Sequence, residues 1–270
     1  MRSGNNTIGD LVILHDEKFL ERQRIAGKVT ASTLSLLENL VKEKANLSLS
    51  EMDKMADEHI RKNSCEPTFY MYKGFPSHCC FSVNKQLVHG VATNYKLKDG
   101  DIISFDLGAT YEGAIADSAI TCIFGDPVLE RHSILVKDTQ RSLYKGIQAA
   151  KTGNRLGAIG SAIWHYARSK GWGVITHYGG HGLEYNKPHA NPFVANKGEP
   201  DAGLRLLPNM TLAIEPMLTS GSTKTWVDEG DKWTVWCEAD CSGHFEHSIF
   251  IHEDRVEVLT KRDGEEICPD

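Results

Sequence analysis

The stretch Ile102-Ile-Ser-Phe-Asp106-Leu-Gly-Ala-Thr-Tyr111-Glu-Gly113-Ala-Ile-Ala-Asp117 decides the fold. It predicts strand-like runs at 101–107 and 118–124 around a turn at 111–113. Asp106 lies inside an otherwise apolar strand, and Asp117 stands where the next strand begins, eleven residues later. The midpoint falls at Tyr111–Glu112, so a simple hairpin sets the two carboxylates opposite one another, within cross-strand contact. Two like charges there repel and raise a pKa unless a cation neutralises them. A bound metal resolves that conflict. The bland alternative is two solvated hairpin carboxylates, which for either aspartate alone is the better reading.

The second half repeats the oddity. Glu215 follows the apolar run Met210-Thr-Leu-Ala-Ile, and Glu246 sits in His244-Phe-Glu-His-Ser-Ile-Phe-Ile. An acid in such a run is seldom fully buried without a partner. His181, in Gly179-Gly-His-Gly182, supplies an imidazole between glycines that let a backbone come close. Four carboxylates and one histidine form a hard, oxygen-rich set suited to two divalent ions such as Co, Mn or Fe. Paired metals about 3.5–4 Å apart can activate water and clamp a carbonyl oxygen. Ion-pair networks also perturb carboxylates. The residues alone therefore leave a dimetal hydrolase and a structural network both open.

Further out, Asp16 is placed to cap a helix with an apolar stripe of Phe19, Ile25, Ala26, Val29, Leu36, Leu37, Leu40 and Val41. Ser48-Leu-Ser-Glu51 fits a capping box ahead of Met52, Met55, Ala56, His59 and Ile60, whose spacing marks the methionines as core filling. The segment 65–77 is aromatic and Gly/Pro-punctuated, as a pocket-lining loop would be. Two more helices are expected near 132–151 and 156–170. Further strands are expected near 79–83 and at 174–178, 210–218, 233–237 and 244–252. Helices and hairpins interleave in both halves with no linker between them. The expectation is one α+β catalytic domain over 1–270, with 1–10 as a flexible extension.

Composition bounds the partners. Hydrophobic residues make up 40% and charged residues 24%, ordinary for a soluble chain. A formal charge of −6 argues against a nucleic-acid binder, which needs a basic face. No apolar leader or spanning run is present. Seven cysteines, an odd number without a secretory signal, read as reduced thiols in the cytoplasm, with no membrane association. In that compartment the sequons at Asn5, Asn46 and Asn209 carry no glycan.

Taken in order, Asn84–Gly90 with His89, Gly100–Asp117, Gly179–Gly182, Met210–Met217 and Gly243–Ser248 resemble the methionine aminopeptidases of the pita-bread fold. The resemblance runs from about Leu11 to Val258. It implies a pseudo-twofold antiparallel sheet with helices packed on one face, and removal of the initiator methionine from nascent chains or peptides whose second residue is small. It implies that Asp106 binds one metal, that Asp117 and Glu246 bridge two, and that His181 and Glu215 hold the second. Glu215 would also handle a proton of the attacking water. His89 resembles the histidine that contacts the scissile amide nitrogen, and His189 the one that contacts the substrate carbonyl and its oxyanion. The methionine pocket would be lined by Phe69, Tyr72, Phe75, Cys80 and Trp233. Backbone carbonyls at Asn84, Gln86 and Ser242 align with a monovalent-cation site. The implied form is a monomer, with the ribosome as a candidate partner.

One stretch departs from the family pattern. The second histidine, in Asn186-Lys-Pro-His-Ala-Asn-Pro192, comes one residue late, with Pro188 where an aromatic would stand. That puts one pocket wall in question. The spacing from His181 to Glu215 leaves no room for the helical insertion of type II enzymes, and no zinc-binding extension precedes the ligands, so the match is to the short type I form. The rivals are a proline-specific peptidase of the same fold, which usually carries a large amino-terminal domain, and an inactive binding homologue, which typically loses ligands. Cys237, Cys241, His244 and His247 mimic a zinc site, but His247 and Glu246 should face opposite sides of a strand. No Gly-x-Ser-x-Gly elbow or His-Glu-x-x-His helix supports a serine hydrolase or zincin.

Overall fold

Alternation along the central strands sorts the chain into a helix-covered face and a polar one. In the computed structural model, which describes residues 6–7 and 12–267, the hairpin strands are Ile102–Tyr111 and Ala114–Ile123. Ile103, Phe105, Leu107, Ala109 and Ile120 point into the main apolar core. Side chains of opposite parity, Asp106 and Asp117 among them, point the other way. Each fully buried apolar side chain contributes roughly 1.5–3 kcal/mol, so this parity cannot slip without exposing the core.

The core is closed by four helices: α1 (Glu17–Lys42), α2 (Leu49–Lys62), α3 (Glu130–Ala149) and α4 (Leu156–Ser169). The expected caps are present. The Phe19 N–H donates to the Asp16 carboxylate at 2.8 Å, and Ser48 and Glu51 close a reciprocal capping box. Buried polar groups then fix α1 to the hairpin. The Ala109 N–H donates to the Thr30 hydroxyl at 3.2 Å, which itself reaches the Ala116 carbonyl. Gln23, fully buried, donates to the Ile115 carbonyl and accepts from Thr211.

The main sheet is antiparallel and nine-stranded. Its order is Lys187–Val194, Gly180–Glu184, Thr211–Ile214, Glu246–Ile251, Ala114–Ile123, Ile102–Tyr111 and Glu66–Pro67, with Cys80–Val83 and Val256–Val258 at its sides. Each half thus supplies two helices and an antiparallel hairpin, the pseudo-twofold plan of the pita-bread fold. Of the expected flexible stretch 1–10, Asn6–Thr7 pairs with Ile13–Leu14, and the remainder lies outside the described residues.

Several expectations need correction. The hairpin turns at Glu112–Gly113, both at positive φ (44° and 81°), two positions that a two-residue turn of the favoured hand requires. Asp106 therefore pairs with Ala119 and Asp117 with Gly108. The carboxylates are diagonal neighbours on one face, not direct partners. The expected strand at 210–218 breaks into Thr211–Ile214 and Met217–Thr219 because Pro216 has no N–H to give the ladder. The strand at 174–178 shrinks to Gly173–Val174. That at 233–237 starts only at Val235, because the Trp233 and Thr234 N–H groups donate to Asp231 instead. The run 244–252 divides into Ser242–His244 and Glu246–Ile251.

Candidate metal centre

Strand parity carries Asp106, Asp117 and Glu246 to one point. One carboxylate oxygen from each lies within 4.8 Å of the others, and His181, Glu215 and Glu246 form a second such group. Glu246 belongs to both groups, and Asp117 also lies within this range of His181 and His189. The His181 Nε2 is 3.6 Å from Glu215 Oε1, 3.9 Å from Asp117 Oδ2 and 4.0 Å from Glu246 Oε1. The strands carrying Asp117 and Glu246 are cross-tied. The Asp117 N–H donates to the Ser248 hydroxyl, which donates to the Asp117 carbonyl, both at 2.8 Å.

The hairpin of Gly180–Glu184 and Lys187–Val194 supplies His181. Gly180 and Gly182 flank His181, and a Cβ at either would collide with the backbone carbonyl of Ala213 or Asn191. The glycines therefore let neighbouring strands close tightly around the imidazole. At the tip, the Asn186 N–H donates to the Gly113 carbonyl at 2.8 Å, locking this hairpin onto the first one.

Electrostatically the cluster asks for cations. Burial pushes the Asp106 carboxyl up to about 7 and those of Asp117 and Glu246 well above the carboxylate range, with neighbouring acids adding to it. Glu215 goes the other way: burial would raise it, but the His244, His181 and His189 rings outweigh that and lower it. Asp106 Oδ1, Asp117 Oδ1 and Glu246 Oε1 are buried without a hydrogen-bond partner. Such orphaned acceptors are costly, and hard divalent cations fit them.

The cluster floors a cavity of about 310 Å³. Every residue expected at the site lines it: Asp106, Asp117, His181, Glu215 and Glu246, with His89 and His189, and with Phe69, Tyr72, Phe75, Cys80 and Trp233. Phe69, Phe75 and Cys80 form one buried apolar cluster against Val91 and Trp233, and the Phe75 and Trp233 rings meet edge-on at 5.3 Å. His189 stands at the mouth, its ring 4.7 Å from that of His181 and 5.4 Å from that of Tyr72. Burial, chiefly, and the nearby His181 lower its pKa to about 4. His89 is held at positive φ (57°) against Tyr178, and burial lowers its pKa too. Both rings are neutral at pH 7 and keep one N–H to donate.

Pro188 is buried and does not line the cavity, whereas Phe193, on the same strand as His189, does. Sequence reasoning missed Phe193, together with Tyr178 and Met217. It also missed His244, buried with Nε2 3.3 Å from Glu215 Oε2. Its position two residues before Glu246 was the available signal. The mimic zinc site does not assemble. His247 faces away to Thr260 and Glu265, and among the described residues the candidate metal-ligand groups all lie in this cavity.

A model of metallopeptidase family M24 matches residues 21–253. A methionine aminopeptidase of Mycoplasma capricolum is 38% identical over 93% of this chain and 99% of its own length. Methionine aminopeptidase 1 of Bacillus subtilis is 39% identical over 93% and 100%. The crystal structure of the methionine aminopeptidase from Rickettsia prowazekii superposes with a TM-score of 0.88 at 31% identity, covering 93% of this chain and all of that one. The prolidase of Pyrococcus furiosus shares the fold alone, at 20% identity and a TM-score of 0.74, with this chain spanning 67% of it.

Proposed function

The chain belongs to metallopeptidase family M24, among its methionine aminopeptidases, and on that premise we propose a division of labour for the cavity. The enzyme is a metallo-exopeptidase acting on peptides, and its relatives favour methionine over the Xaa-Pro alternative. Asp106, Asp117 and Glu246 would hold one divalent ion, and His181 and Glu215 would help to hold a second beside it. Bound ions supply a water nucleophile at neutral pH and polarise the scissile carbonyl. The metals suited to this oxygen-rich set are Co, Mn or Fe.

The substrate's methionine side chain enters between Phe69, Tyr72, Phe75, Cys80 and Trp233, where sulfur–aromatic contact adds to apolar burial. His189, neutral at pH 7, donates its N–H to the carbonyl oxygen as negative charge develops there. His89 holds the scissile amide nitrogen from the opposite wall. Glu215 accepts the proton lost by water and returns it to the leaving amine. The Asn84 and Gln86 carbonyls approach Ser242, whose N–H is 3.2 Å from the first and whose hydroxyl is 3.3 Å from the second. Those contacts bring the three residues together, and a monovalent cation there would draw on the remaining lone pairs of their carbonyls. The remaining setting is a cytoplasmic monomer, with nascent chains at the ribosome as substrates.

The observation that carries this reading is the meeting of four carboxylates and one imidazole around three orphaned oxygens. The test is hydrolysis of Met-Gly, Ala-Gly and Xaa-Pro peptides after chelation and reloading with each metal. Methionyl peptides alone should be cleaved, and Glu246→Ala should abolish turnover. Metal-independent cleavage, or near-normal turnover in that variant, would sink the mechanism.

A further inference from the structure

We propose that His244 is the positioning residue of Glu215, holding Oε2 through its Nε2–H so that only Oε1 is presented to the metals. This rests on the dimetal reading and adds a residue that reading does not contain. The Glu215 carboxylate is already divided between two neighbours. Its Oε1 faces His181 Nε2 at 3.6 Å, and its Oε2 faces His244 Nε2 at 3.3 Å. His244 is 1% exposed, and neither ring nitrogen makes an aligned hydrogen bond. A buried imidazole N–H without an acceptor is costly, and Glu215 Oε2 lies within reach of it.

The backbone fixes where this ring sits. The His244 N–H donates to the Thr121 hydroxyl at 2.8 Å, that hydroxyl lies 2.7 Å from the His244 carbonyl, and Thr121 is itself braced by Ser104 at 2.8 Å. Strand pairing sets Met217 opposite His244. Glu215, two residues earlier and beyond the break at Pro216, therefore turns back onto the ring. A ligand carboxylate with one oxygen tied loses less freedom when it binds an ion, which is how outer hydrogen bonds tune metal sites. The same tie leaves Oε1 as the atom that meets both ion and water.

The test combines a spectroscopic signature with two variants. In ¹⁵N-labelled wild type loaded with zinc, a slowly exchanging Nε2–H assigned to His244, distinct from those of buried His15 and His247, should be present and should vanish in His244→Gln. By calorimetric titration, His244→Leu should weaken the second ion by on the order of 10–100-fold. His244→Gln, which keeps an N–H donor, should stay near wild type in ion affinity and recover kcat, with KM for a methionyl peptide little changed in either variant. Equal ion affinity in His244→Leu and wild type, or no such Nε2–H signal, overturns the proposal. If His244→Leu does not fold, the wild-type signal and the Gln variant still decide it. If wild type binds one ion or cleaves no methionyl peptide, the dimetal reading fails, while the imidazole signal still reports on the contact.

Discussion

Asp106→Asn should stabilise the metal-free protein while destroying its function. Burial raises the Asp106 carboxyl from 3.8 to about 7, so ionising it inside the apo fold is opposed over about three pKa units. At about 1.4 kcal/mol per unit this amounts to about 4 kcal/mol at pH 8. The sign follows from the raised pKa. The cost is absent below the unfolded value near 3.8, grows as pH rises, and is complete above about 7. The asparagine is nearly isosteric and neutral, and Oδ1 has no hydrogen bond to lose. The gain should therefore stay under about 2 kcal/mol at pH 5 and reach about 4 kcal/mol at pH 8, roughly 10 °C in Tm for a chain of this size. Comparing wild type and variant at the same pH cancels the titration of groups that Asp106 does not touch; Asp117 and Glu246, which its charge helps to raise, should ionise more readily in the variant. The assay is thermal and denaturant unfolding in chelator at both pH values, with the metal-loaded pair alongside, where the order should reverse. A variant less stable than apo wild type at pH 8, or a difference that ignores pH, refutes the reasoning.

Metal binding should release protons. With Asp106 raised to about 7 and Asp117 and Glu246 raised well above their ordinary values, calorimetry in buffers of differing ionisation enthalpy at pH 7 should report on the order of one to three protons per loaded site; buffer-independent enthalpies would contradict this. His189→Ala should lower kcat by about 10²–10³-fold with little change in KM, since its N–H acts on charge that develops in the transition state; steady-state kinetics on a methionyl peptide decide it, and a change confined to KM marks a simple binding role. Glu265→Gln should cost roughly 3 kcal/mol at pH 7, because the carboxylate accepts from Tyr144 and Arg262 at 2.7 Å and contacts buried His247 at 3.2 Å. Its burial is outweighed by those partners, which hold it at about 2, so the deficit should be full above pH 4.5 and fade as pH falls toward 2 in unfolding curves.

The four proposed acidic ligands were legible because each stands in or beside an apolar run, whereas His181 was marked only by its glycines and the family resemblance. An ionisable side chain inside an apolar run has no reason to be there unless something pairs with it. The diagonal register was not legible, because it depends on which two residues take positive φ, and Glu112 carries no signal for that conformation. The hairpin carrying His181 and His189 escaped for a different reason. Its strands are built from glycines and interrupted by Pro188 and Pro192, which strand patterns exclude, and close packing of backbones holds it in place. The tie from Asn186 to Gly113 joins residues 73 positions apart, and no periodicity encodes it. His244 was visible as a residue but not as a site member, since its partner Glu215 reaches it only through the break at Pro216. Local anomaly thus points to the acidic candidates, whereas long-range closure sets their distances. Both have one physical origin: the burial that makes these acids conspicuous in the sequence also raises the Asp106 carboxyl to about 7, a strain in the apo fold that bound divalent cations would relieve.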